Sequence, residues 1–136
     1  MSQLIPRDVL SEAVGYLASV LSVPVSDDAE AAAGGSLRLP QVVLQLAGSS
    51  RTDWVTDLFT VAVGAYAADR IDADRLCAEA FTRLLDWPEA NHHVRDVLPL
   101  SGVVPFPHPD FPRGNRHQAS VQIDLRPTTD GLPPNP

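Results

Sequence analysis

His117-Gln-Ala-Ser-Val-Gln-Ile-Asp-Leu-Arg126 alternates apolar and polar residues without a break. Successive side chains of a strand point to opposite faces. Ala119, Val121, Ile123 and Leu125 therefore share one face, and Gln118, Ser120, Gln122, Asp124 and Arg126 share the other. The stretch predicts a half-buried strand with one wet or partner-facing side. Burying its inward face contributes about 1.5–3 kcal/mol for each larger side chain. A proline-studded loop, Val104–Asn115, leads into this strand, and a disordered tail, Thr128–Pro136, is expected to follow it.

Moving back along the chain, Val94–Val104 reads as another strand, interrupted by Pro99 and Gly102. Proline lacks the N–H a ladder needs, which confines such a strand to an edge or a bulge. Before it, Ala73–Leu85 carries Leu76, Ala80 and Leu84 in one ridge with Cys77, Phe81 and Leu85 beside it. That is the spacing of an amphipathic helix, with Asp72 as the expected N-cap and Pro88 as its stop. Trp54–Ala67 is apolar on both faces and is expected to be a central strand. Leu39–Ala47 alternates like an outer strand, and Gly48-Ser-Ser-Arg-Thr-Asp53 reads as the turn of an antiparallel hairpin. Asp27–Ser36 is acidic, Gly-rich and lacks an apolar anchor, so residues 27–36 are expected to form a mobile loop. Pro6–Leu21 completes the set as a first helix, with Leu10, Val14, Leu17 and Leu21 on one stripe. The order helix-strand-strand-helix-strand-strand predicts an α+β fold: a mainly antiparallel four-stranded sheet with two helices packed on one face. One domain spans residues 1–127.

The chain has 136 residues, is 44% apolar and carries a formal charge of −7. Length and apolar content suit one globular domain with a real core. The acidic balance argues against nucleic-acid binding, which usually needs a basic patch. All 10 basic residues are arginine, which together with the Ala, Asp and Pro bias reflects a GC-rich genome. The single cysteine cannot form an internal disulfide. The N-terminus has no signal-peptide pattern, and no run approaches the roughly 20 apolar residues of a membrane span. The expectation is a soluble, unexported protein.

No catalytic constellation is visible. His92, His93, His108 and His117 lack zinc-ligand spacing, and the adjacent pair is expected to point in different directions. Asp69, Asp72 and Asp74 precede a helix, whose dipole explains them without a cation. Cys77 falls on an apolar helical face and reads as a small core residue. No metal, cofactor or enzymatic activity is expected. Surface features remain. Trp54, Trp87, Phe106 and Phe111 lie in or beside turns and loops, where aromatics form interfaces or fold back as lids on the sheet. Arg113 and Arg116 flank a Gly-Asn turn and either pair with acidic groups of a neighbour or are simply solvated.

In this arrangement the chain resembles the tail terminator proteins of long-tailed, non-contractile bacteriophages, especially those of actinobacterial hosts. The resemblance covers most of residues 5–127. It rests on the Pro6–Leu21 helix, Leu-Pro-Gln-Val-Val-Leu-Gln-Leu46, Leu-Phe-Thr-Val-Ala-Val-Gly-Ala-Tyr66 running into the Asp72-Ala73 helix start, and Arg-His-Gln-Ala-Ser-Val-Gln-Ile-Asp-Leu125. It implies a virion protein assembled in the host cytoplasm and placed at the neck end of the tail. Such a protein forms a homo-hexameric ring that caps the tail tube, stops its growth and docks the head–tail connector. DNA passes through the lumen without specific binding, helped by like-charge repulsion, and no membrane is involved. The Val104–Asn115 loop, with Phe106, Phe111, Arg113 and Arg116, and Trp54 are the expected contact residues. Alternatives are another neck protein, such as a connector, stopper or tail-completion factor, a tail-tube subunit, or a small cytosolic α+β enzyme or binding domain.

Overall fold

The computed structural model describes residues 8–27, 39–51, 57–106 and 115–126. Five strands and three helices follow one another as α1 (Val9–Val20), β1 (Val25–Ser26), β2 (Gln41–Arg51), β3 (Asp57–Ala67), α2 (Arg70–Leu85), α3 (Trp87–Ala90), β4 (Val94–Pro105) and β5 (Asn115–Leu125). The fold is α+β. Its sheet is five-stranded and mixed, in the order β1-β2-β3-β5-β4, rather than four-stranded. The extra strand, β1, pairs in parallel through only Val25↔Val42 and Ser26↔Val43. Two residues show no periodicity, so nothing in the sequence pattern marks them.

The last strand does not simply hairpin onto the edge. β5 inserts between β3 and β4, antiparallel to both, and pairs with β3 over its full length from Asp57↔Leu125 to Ala67↔Asn115. β3 and β4 consequently run parallel, two places apart, linked across the sheet by α2 and α3. β4 is the edge strand its proline predicts, with register shifts between Val94 and Asp96, between Pro99 and Ser101, and between Ser101 and Val104. β2 runs on through Gly48 to Arg51, where a turn was expected. A bulge between Leu46 and Gly48 absorbs Ala47, and pairing resumes at Gly48↔Thr60. Backbone pairing needs no particular side chain, which is why Gly-Ser-Ser can stay in the ladder. The expected 27–36 loop falls almost wholly outside the described residues, as do 107–114 of the Pro-rich loop and the 128–136 tail.

Helix starts are set by acidic caps. Asp8 caps α1 by accepting from the Ser11 N–H at 3.1 Å, so the helix begins later than Pro6. Asp69, rather than Asp72, caps α2, accepting from the Asp72 N–H at 2.8 Å. β3 ends at Ala67, and the first acceptor the chain offers after it is Asp69, one turn ahead of Asp72. The Asp72 backbone N–H lowers the Asp69 pKa, whereas a hydrogen bond with the Asp69 side chain and its charge raise that of Asp72. Pro88 does not end helical structure. It sits in the first turn of α3, where its missing N–H costs nothing.

All three helices cover the same sheet face. Val9, Ala13 and Leu17 of α1 and Leu76, Cys77, Ala80 and Leu84 of α2 form one core with Val42, Leu44, Val61, Val63, Val121 and Ile123. Trp87 belongs to this core and is 2% exposed, so it is not a surface aromatic. Its ring stacks on Tyr16 with centroids 5.6 Å apart, and the Tyr16 hydroxyl donates to the Arg83 carbonyl oxygen at 2.9 Å. One aromatic pair thus ties α1 to the α2–α3 junction. Burial, followed by the nearby Asp86 charge, raises the Tyr16 pKa. Trp87→Ala opens a large void at this junction and should destabilise the protein by about 3–5 kcal/mol in urea titrations. A loss under about 1 kcal/mol would show that the junction does not hold the helical layer.

Candidate assembly surface

The sheet face away from the helices has a different chemistry. Strand register lays out rows across it: Val43, Gly64, Gln118 and Val104, then Gln45, Ala62, Ser120 and Ser101, then Gly48, Thr60, Gln122 and Leu98. The centre is small and polar, and the Ser101 and Ser120 hydroxyls lie 2.8 Å apart. At the β4 edge it becomes apolar. Leu98, Leu100, Val104 and Phe106 are exposed by 48%, 50%, 48% and 49%. Four large apolar residues left half in water along one edge form the kind of patch that marks a docking surface. The sequence carries the signal for this edge: Val97-Leu-Pro-Leu-Ser-Gly-Val-Val104 is apolar where an edge strand should be wet. Pro99 marks the edge but does not by itself reveal the apolar residues beside it.

At one end of the face, Arg116 and Phe106 come together. Strand pairing brings the Phe106 N–H to the Arg116 carbonyl oxygen at 2.9 Å. The guanidinium then lies 5.1 Å from the Phe106 ring centroid and 5.5 Å from that of Tyr66. It passes directly over Gly64, where an added Cβ would sit 3.1 Å from Arg116 Nε and 3.2 Å from Nη2. Glycine is needed there to admit the arginine, not for any special backbone angle. Arg116 is only 9% exposed, and among the described residues its Nε has no hydrogen-bond partner. Cation–π contact thus replaces solvent on a mostly buried charge. Burial raises the Tyr66 pKa while the Arg116 charge opposes the rise. Trp54, Phe111 and Arg113 lie outside the described residues.

The groups weighed for chemistry are dispersed. The His92 and His93 rings do not diverge as expected: their centroids are 4.1 Å apart. His117 lies in the β5 ladder, paired with Ala65 and Pro105, and His108 is outside the described residues. Among the described residues, no group of three or more His, Cys, Asp or Glu side chains is placed to hold a metal ion. Cys77 is fully buried, and its thiol donates to the Val63 carbonyl oxygen at 3.7 Å. A scan against protein-family models matches no family, and a search of the curated proteins finds no match.

Two outcomes follow from this geometry. Burial first, and then the Asp74 charge, push the Cys77 thiol up to about 12. Its folded pKa thus exceeds the unfolded value of about 8.5, so its stabilising contribution is complete below that value. The contribution is lost as pH rises from there toward about 12. Cys77 should resist iodoacetamide at pH ~8 until urea unfolds the chain, and fast labelling of the native protein would contradict this. Phe106→Ala and Arg116→Ala should be coupled by about 0.5–1 kcal/mol in a double-mutant cycle. Additive losses would show that the stacked arginine contributes nothing beyond its own packing.

Proposed function

We propose that this protein is a structural virion subunit, a phage tail terminator whose copies close into a ring on the tail tube. The supporting observation is the imbalance of the sheet. One face is sealed by helices, while β4 at one edge presents Leu98, Leu100, Val104 and Phe106 to water. At the opposite edge, among the described residues, β1 covers only Val42 and Val43 of the 11-residue β2. Leu46, beyond that cover, is 45% exposed. Two different unsaturated edges on opposite sides of one sheet suit a head-to-tail contact, and such a contact becomes a ring when its rotation closes. Pro99 and the β4 bulges discourage open-ended backbone pairing, leaving side-chain packing to join the copies.

The polar, small-residue face is then available to tube and connector. The charge of −7 per copy gives the ring a negative field, which repels DNA and lets it pass through the lumen. On this reading the Phe106–Arg116 pair stiffens the strand ends that flank the Pro-rich loop, the expected contact with a neighbour or the tube.

The test is assembly state. Sedimentation of the purified chain, alone and with tail tubes, should give a closed oligomer and capped tube ends. Leu100→Glu should shift it to monomer with an unchanged circular dichroism spectrum. A wild-type chain that stays monomeric and leaves tubes uncapped sinks the proposal.

A further inference from the structure

We draw no further inference here: the strongest candidate, the surface groove lined by Leu39, Pro40, Ala67 and Leu76 between the start of α2 and the adjoining ends of β2 and β3, carries nothing because nothing in the structure shows what covers it.

Discussion

The eleven-residue pairing of β3 with β5 is the constraint on which the rest of the molecule depends. It joins residues from 48 (Ala67↔Asn115) to 68 (Asp57↔Leu125) positions apart, so chain entropy must be spent before the pairing gains anything. Once formed, it fixes which face is apolar on both strands at once. Phe59, Val61 and Val63 align with Ile123, Val121 and Ala119, and a slip of one residue would turn every one of them to water. α2 then has a single apolar surface to land on, and β4 can only add outside β5. The crossing from β3 to β4 over an inserted strand makes the topology non-local, the kind that forms slowly.

From this follows a division of labour between the two sides of the sheet. The helical side holds the stability: a dry cluster of alanines, valines and leucines closed by the Tyr16–Trp87 stack. The other side offers surface, with short polar residues in the middle, a stacked arginine at one end and an apolar edge along β4. A change on the first side should act through folding and one on the second through association. The two effects can therefore be told apart, because hardly any side chain serves both faces. His117 is an instructive exception. It occupies a core position of β5, yet it carries a polar nitrogen that no described side chain satisfies.

The residues expected at the surface are redistributed by the fold. Phe106 and Arg116, ten positions apart in the chain, are neighbours because β4 and β5 pair antiparallel. Trp87 left the surface set because helical structure continues past Pro88 and turns its ring inward against α1. Leu98, Leu100 and Val104 joined it, since an edge strand bent by bulges cannot turn all its apolar side chains under the helices. Proline marked the edge correctly but says nothing about which side chains the bulges leave outside.

What the sequence determined alone were properties of single segments. The period-2 alternation of β5, the apolar stripes of α1 and α2, the double-sided apolarity of β3 and the proline interruption of β4 each follow from local spacing, which one chain segment carries in full. Tertiary structure decided everything that needs two segments at once. It put β5 inside the sheet rather than at its rim and found β2 a two-residue parallel partner. It also moved the α2 cap to Asp69, seated Arg116 over Gly64 and buried His117 among core positions. Those outcomes depend on backbone pairing and on the space left between packed elements, and neither quantity is written in the order of residues along one strand or helix.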